Sequence, residues 1–289
     1  MTSTTSADVL PVIVALCAVV GLVVGSFLNV VIYRVPAGLS IVSPPSACPR
    51  CGASILRRDN IPVVSWALLR GKCRDCRTRI SVRYPFVETG TAIFFVVVAV
   101  YVWTGGYSAQ AGPDSAGASW IPAVLVLLAV LYLAAVSIAL ALIDLDTHRL
   151  PNRIVLPSYL VGAGLLGSAS IVTGDYASLI RAGIGLAFLW ALYLVMALAY
   201  PGGMGFGDVK LAGVLGLFLG YLGWGPLVVG AFAAFLLGGV FAIGLLATRR
   251  ANRKSGIPFG PWMLAGAWVG IFWGNQLWNS YLSFIGITQ

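Results

Sequence analysis

The chain has 289 residues, of which 59% are hydrophobic and only 9% are charged. Soluble domains carry roughly 25% charged residues, so this composition excludes an ordinary soluble protein and indicates a membrane protein with several spans. The formal net charge is +9 at pH 7, but cations beside a membrane attract anionic lipid, and we expect lipid rather than nucleic acid as their partner.

Apolar runs need about 20 residues to cross a bilayer, and eight candidates follow one another along the chain. They cover residues 9–33, 86–103, 120–143, 154–172, 177–200, 211–222 with its flanks, 226–247 and 257–282. The sixth run is short. We therefore predict an all-α polytopic membrane protein with about eight transmembrane helices. Its parts are a first helix (1–33), a polar insertion (34–85) and a membrane-embedded core (86–289).

The distribution of cations predicts the orientation, because Lys and Arg accumulate in cytoplasmic loops. An outside N-terminus and eight spans would place four segments inside, at 34–85, 144–153, 201–210 and 248–256. These segments hold 17 of the 18 Lys and Arg residues, and only Arg181 falls outside them. The first run has no cation before Arg34, unlike a secretory signal peptide, so we expect it to be retained.

The sizeable polar segment between the first two runs contains two CxxC pairs, Cys48/Cys51 and Cys73/Cys76. Four thiolates in this arrangement predict a structural zinc site in a small ribbon-like fold, with each pair on a tight turn. Two disulfides are the alternative, but the predicted cytoplasmic position is reducing and disfavours them. The segment is too small for a large core, so a metal would contribute the missing folding free energy.

Two acidic residues stand beside apolar runs on the same predicted side of the membrane. Asp144 closes the third run in "ALIDLDTHRLPN", and Asp208 follows the fifth run in "GMGFGDVK". Two spans, one out and one back, separate them, so both emerge on the cytoplasmic side. Asp146 lies two residues beyond Asp144, and residues at that spacing face different directions on a helix. We therefore predict that Asp144, which continues the apolar run, pairs with Asp208.

Two neighbouring carboxylates cannot both ionise cheaply, so they share a proton and provide a general base and a general acid. This is the chemistry of an aspartic protease. One carboxylate activates a water that attacks the peptide carbonyl, while the other protonates the carbonyl oxygen and later the leaving amine. The glycines before Asp208, which are Gly203, Gly205 and Gly207, permit close backbone approach and unusual dihedral angles beside a substrate.

Other interpretations of these residues stay open. An Asp at a helix start is often simply an N-cap, and that role alone would explain Asp208. The glycines are similar to a nucleotide-binding loop, but no strand precedes them. His148 is the only histidine, and we expect it to be a solvated loop residue. Glu88 is either a charge at a helix start or a residue that lines the site.

The chain resembles the bacterial type IV prepilin peptidases, the leader peptidase/N-methyltransferase family of GxGD-type membrane aspartic proteases. The likeness extends over nearly the whole chain and rests on several motifs in order. They are "GSFLNVVIYR", "CPRC" and "CRDC" around "NIPVVSWALLRGKC", "RYPFVE", "IDLDTHRLPN" and "GFGDVKL". The resemblance implies that the catalytic aspartates are Asp144 and Asp208.

The resemblance also implies a substrate and a place. The substrate is the basic leader of type IV prepilin or type II secretion pseudopilin precursors, cut on the cytoplasmic side of the bacterial inner membrane. Family members with the cysteine insertion are expected to methylate the new N-terminus with S-adenosylmethionine, although the residues themselves predict no pocket for this cofactor. The sequence identifies neither the precursor nor the oligomeric state.

Two functions from other classes are the alternatives. A proton-coupled transporter could use the aspartate pair as its relay, and a zinc-bearing membrane scaffold would explain the cysteines alone. The acids stand at the ends of spans, and the two halves of the sequence show no inverted repeat, which disfavours a transporter. Only a peptidase would shorten a prepilin in vitro.

Overall fold

The computed structural model of the chain describes residues 6–106, 120–199, 204–248 and 258–287. In these ranges the long elements are all helices, and pairing between extended segments is limited to two isolated bridges. The helices are, in chain order, α1 (Ser6–Arg34), α2 (Val64–Leu68), α3 (Arg83–Tyr101), α4 (Ile121–Thr147), α5 (Asn152–Thr173), α6 (Tyr176–Ala199), α7 (Phe206–Leu222), α8 (Trp224–Ala247) and α9 (Gly260–Phe284). The predicted all-α class is confirmed.

A helix corresponds to each of the eight predicted apolar runs, but the helices differ in their capacity to cross a membrane. Six of the described helices, namely α1, α3, α4, α5, α6 and α8, are long and apolar enough to do so. Helix α7 has only 17 residues, and α9 is not among the six. The protein is a multi-pass membrane protein, and the predicted number of eight spans is not confirmed. Most of the segment between the second and third apolar runs lies beyond the described residues.

The chain divides into two compact units, Met1–Trp103 and Thr104–Gln289. In the first unit α1 packs against α3. A β-carbon added to Gly21 would lie 2.6 Å from the Cα of Ala92, and one added to Gly25 would lie 2.7 Å from the Cα of Glu88. Because real β-carbons do not approach so closely, these glycines let the two helix backbones meet, as small residues commonly do within membranes.

Helix α7 is the central helix of the second unit. It contacts α5, α6, α8 and α9, and every residue from Leu211 to Leu222 is buried. A helix that is apolar and buried all round is enclosed by protein rather than by water. The short sixth apolar run is therefore a helix that its neighbours cover. Asp208 lies in the first turn of this enclosed helix.

Glycines also set the close approach of α6 and α7. Gly185 and Gly216 face each other, and a β-carbon on either one would overlap the carbonyl oxygen of the other. A β-carbon on Gly220 would lie 2.6 Å from the carbonyl oxygen of Arg181. The two backbones therefore touch over about one turn of α7, from Gly216 to Gly220.

Arg181 is the cation that the predicted cytoplasmic segments did not include, and it stabilises the end of α7. Its Nε donates a hydrogen bond to the carbonyl oxygen of Gly220 at 2.8 Å, and its Nη2 donates to that of Tyr221 at 2.9 Å. The last carbonyls of a helix have no partner within the helix. A guanidinium at this place satisfies them and suits the negative end of the helix dipole.

Candidate active site and metal centre

Asp144 lies in the last turn of α4 and is only 5% exposed. Its side-chain Oδ2 accepts a hydrogen bond from the N–H of Gly260, the first residue of α9, at 3.1 Å. Its carbonyl oxygen accepts the N–H of His148 at 2.8 Å. His148 has φ of 52° and ends the helix in the left-handed conformation. Asp144 is therefore a buried acid held between the end of one helix and the start of another.

Asp208 lies at the opposite kind of helix end, in the first turn of α7. Gly205 is the N-cap, and its N–H donates to the Oδ2 of Asp208 at 3.2 Å. In return the main-chain N–H of Asp208 donates to the carbonyl oxygen of Gly205 at 3.1 Å. Asp208 is thus the third residue of the helix rather than its N-cap, but its carboxyl group still caps the helix start through the N–H of Gly205. Gly203 lies outside the described residues.

The structure brings the two carboxyl groups to one site. The two acids meet at Leu150, which lies against Gly207, the neighbour of Asp208, and against Gly260, the hydrogen-bond partner of Asp144. A β-carbon on Gly207 would lie 3.0 Å from the Cβ of Leu150, and one on Gly260 would lie 3.3 Å from its Cδ2. The glycines flanking the two acids therefore leave no room for larger side chains.

The structure gives the other candidate residues surroundings of their own. Helix α4 continues to Thr147, so Asp146 points away from Asp144 and is exposed. His148 is exposed. Glu88 is in the first unit, inside α3 and beyond its first turn, and is only 7% exposed. Its Oε2 accepts the N–H of Val63 at 2.7 Å, so it ties the polar insertion to α3.

Residues that the sequence did not predict complete the site. Tyr193 of α6 is 2% exposed and interacts electrostatically with Asp208. Its ring lies 5.4 Å from the ring of Phe235 and 6.3 Å from that of Phe259. In the sequence Tyr193 stands within an uninterrupted apolar helix and nothing distinguishes it. Gly260 stands in "IPFGPW", where the Gly-Pro pair marks a helix start but gives no sign of an acid as its partner.

The second turn of α7 is fixed from outside by polar contacts. The hydroxyl of Tyr159 donates to the carbonyl oxygen of Lys210 at 2.5 Å. The Nζ of Lys210 donates to the Oδ1 of Asn152 at 3.0 Å. Both contacts connect α5 to the residue two positions after Asp208, so the start of α7 is held in place beside the α4–α5 turn.

The four cysteines of the insertion form a cluster in the first unit. The Sγ atoms of Cys48, Cys51, Cys73 and Cys76 all lie within 4.8 Å of one another, and all four thiols are free. Cys48 Sγ is 3.7 Å from Cys76 Sγ. Four sulfurs around a zinc ion at about 2.3 Å would be roughly 3.8 Å apart, whereas a disulfide measures about 2.05 Å. The donor set and spacing fit a tetrahedral metal site.

The two CxxC turns have the same construction. Cys48 N–H donates to Ala53, and Cys73 N–H donates to the equivalent Thr78. Gly52 and Arg77 occupy the same position in the two turns and both have positive φ, 72° and 59°. Each turn is closed by one bridge, between residues 47 and 54 and between residues 72 and 79. The insertion therefore presents its thiols from two matching turns, as zinc ribbons do.

The surroundings of the cluster shift its thiols in opposite directions. Although a main-chain hydrogen bond with Ala53 lowers it, desolvation and hydrogen bonds with the neighbouring thiols raise the pKa of Cys51 to about 12. Hydrogen bonds with the hydroxyl and main chain of Thr78 lower the pKa of Cys76 to about 6. Arg74 pairs with Asp59, donating from Nε to Oδ2 at 2.7 Å and from Nη2 to Oδ1. This planar double contact joins the 3₁₀ turn at Arg57–Asp59 to the second CxxC turn.

The fold and the paired acids define a class of protein, a helical membrane protein with two carboxyl groups at facing helix ends. Two family profiles match: the "Bacterial Peptidase A24 N-terminal domain" over residues 19–102 and the "Type IV leader peptidase family" over residues 131–243. No solved structure is similar enough to count as a match.

Curated proteins named prepilin leader peptidase/N-methyltransferase are similar to this chain over most of its length. The protein from Aeromonas salmonicida is 36% identical over 91% of this chain and 92% of its own. That from Pseudomonas aeruginosa is 35% identical over 96% of each chain, and that from Neisseria gonorrhoeae is 35% identical over 93% of this chain and 94% of its own. The chain belongs to the type IV leader peptidase family.

Proposed function

We propose that this protein is a membrane aspartic endopeptidase that removes the leader from type IV prepilin or pseudopilin precursors, with Asp144 and Asp208 as its catalytic pair. The observation that carries the proposal is that the two acids, on helices far apart in sequence, border the same residue: Leu150 lies against Gly207, next to Asp208, and against Gly260, which is hydrogen-bonded to Asp144. The relatives' names supply the substrate class.

The geometry supports acid and base roles for this pair. Two neighbouring carboxyl groups are most stable with one shared proton, so one can act as base and the other as acid. The ionised group removes a proton from water as that water attacks the scissile carbonyl. The protonated group donates first to the carbonyl oxygen and then to the departing amine. The N–H groups of Gly260 and Gly205 hold one oxygen of each carboxyl group.

The cation distribution supports a cytoplasmic active site. The predicted inside segments include 144–153 and 201–210, so the turn after Asp144 and the loop before Asp208 face the cytoplasm in this orientation. A substrate whose basic leader stays in the cytoplasm and whose apolar helix enters the membrane would present its cleavage point at that boundary. An N-terminus outside and a location in the bacterial inner membrane belong to the same proposal.

We assign zinc to the cysteine cluster and give it a structural role. Cys48, Cys51, Cys73 and Cys76 would fill all four coordination positions, and a closed site of this kind stabilises its fold without taking part in hydrolysis. Relatives that carry N-methyltransferase in their names support a second activity, methylation of the new N-terminus. S-adenosylmethionine would supply the methyl group, and we assign it no residues.

The test is incubation of the purified protein with a full-length prepilin, followed by mass measurement of the products. A peptidase yields the leader and a pilin with a new N-terminus, and a methyl donor adds the mass of one methyl group to that pilin. Asp144→Asn and Asp208→Asn should each abolish the cut, because a single carboxyl group cannot serve as both acid and base. The matched control is Asp146→Asn, which should retain most of the activity. An active Asp144→Asn protein would refute the assignment.

A further inference from the structure

Asp144 stands where its own helix disfavours a charge. It is in the last turn of α4 and is 5% exposed. The C-terminal end of a helix carries the negative end of the helix dipole, which repels a carboxylate. A buried carboxylate is also costly unless it accepts hydrogen bonds. Another part of the fold must therefore supply a donor if this acid is to ionise during the reaction.

The donor is the start of α9. The N–H of Gly260 points at the Oδ2 of Asp144, although the two residues are 116 positions apart. The first N–H groups of a helix have no acceptor within the helix, and they carry the positive end of its dipole. Pro261 follows in the first turn, where its fixed φ suits a helix start. At Asp144, the free N–H and the positive dipole end at the start of α9 thus offset the negative dipole end of α4.

A larger residue at position 260 would displace the carboxyl group of Asp144. A β-carbon added to Gly260 would lie 2.6 Å from the Oδ2 of Asp144, closer than any real β-carbon approaches another heavy atom. The carboxyl group of Asp144 would have to move, and Leu150, whose Cδ2 would be 3.3 Å from the same β-carbon, restricts that movement. The absence of a side chain at residue 260 therefore sets where the carboxyl group lies.

We propose that Gly260 is a positioning residue of the peptidase. Its N–H fixes one oxygen of Asp144, so that the other oxygen is directed toward water and Asp208, and its missing side chain leaves that arrangement undisturbed. The inference rests on the proposed catalytic role of Asp144. It gives the start of α9 a role in positioning Asp144, which neither the aspartates nor the glycine motif before Asp208 indicates.

The first test is Gly260→Ala in the full-length protein. A displacement of about 1 Å in a catalytic group can cost on the order of 100-fold in rate. We expect kcat for prepilin cleavage to fall by about that factor, while KM changes less than about threefold, since no substrate contact is removed. Methylation of a pilin supplied already cleaved should continue, which a globally disturbed protein would not achieve.

Two matched glycine variants separate positioning from packing. Gly183→Ala adds a methyl group where nothing lies within 4 Å, and it should behave as wild type. Gly266→Ala, in α9 like Gly260, forces a β-carbon against the main chain of Ala234. It should lower thermal stability without a comparable loss of kcat in the folded protein. If Gly260→Ala keeps wild-type kcat, or loses activity only in proportion to stability as Gly266→Ala does, the inference is wrong.

A second measurement applies even if Gly260→Ala fails to fold. In protein labelled with ¹⁵N-glycine, hydrogen exchange of the Gly260 amide reports its bond to Asp144, because this amide has no acceptor within α9. Exchange should be slow in the wild type and at least about tenfold faster in Asp144→Ala. Equal rates would contradict the inference. Active Asp144→Asn and Asp208→Asn proteins would instead overturn the proposed function, whatever Gly260 does.

Discussion

Replacing Arg181 with methionine tests whether α7 is anchored from its far end. Methionine has similar length but no donors, so the substitution removes the bonds to the carbonyl oxygens of Gly220 and Tyr221 at 2.8 and 2.9 Å. Hydrogen bonds from charged groups contribute about 1.5 to 3 kcal/mol each. Arg181 is partly exposed, so water will replace part of what is lost, and the lower value applies. The free energy of unfolding should therefore fall by about 3 kcal/mol.

The assay is unfolding in detergent micelles, followed by circular dichroism, with Arg153→Met as the matched control. Arg153 is an exposed cation near the start of α5, and its loss should change stability by less than about 0.5 kcal/mol. Arg181→Lys keeps the charge but lacks the planar guanidinium with its several donors. Its free energy of unfolding should lie between those of the wild type and Arg181→Met. The folded fraction of each variant should still cleave prepilin. Equal stability of Arg181→Met and Arg153→Met would refute the anchoring role.

Three further predictions concern the metal, the helix contact and the pH profile. Purified protein should contain about one zinc ion per chain, and Cys48→Ser should lose it together with the fold of the insertion, as elemental analysis and proteolysis can measure. Metal-free protein with an intact insertion would contradict this. Gly216→Ala, whose β-carbon would overlap the carbonyl of Gly185, should destabilise by about 1 to 3 kcal/mol, whereas unstrained Gly183→Ala should not. The cleavage rate should follow a bell-shaped pH profile whose two limbs belong to the carboxyl pair, and a rate that rises steadily to high pH would argue against it.

The helices could be predicted from the sequence because they depend on order along the chain, and the pairing of Asp144 with Asp208 is a prediction that rests on the same order. Hydropathy marks each apolar run, and two crossings between Asp144 and Asp208 return the chain to the same side. The position of Asp144 at the end of its run is what favours it over Asp146 in that prediction. Repeated CxxC spacing likewise predicted the cysteine cluster, because each turn is a local feature of a few residues.

The remaining features depend on contacts between distant segments, which composition does not encode. A main-chain donor such as the N–H of Gly260 has no signature in the sequence, and Tyr193 looks like any other residue of an apolar helix. Hydropathy also cannot distinguish a helix that faces lipid from one enclosed by other helices, so it counted α7 as a short span without showing that α7 is central. Arg181 appeared as an exception to the cation distribution, and its role became visible only beside the end of α7.

The most direct measurement of the central claim compares the single variants Asp144→Asn and Asp208→Asn with the double variant. Each protein is tested for prepilin cleavage at equal folded concentration. Groups that act as one unit are not additive, so removing the second after the first costs almost nothing more. We expect all three proteins to have the same residual rate, at or near background. A single variant with substantial activity, or a double variant much slower than both singles, would contradict a shared mechanism for Asp144 and Asp208.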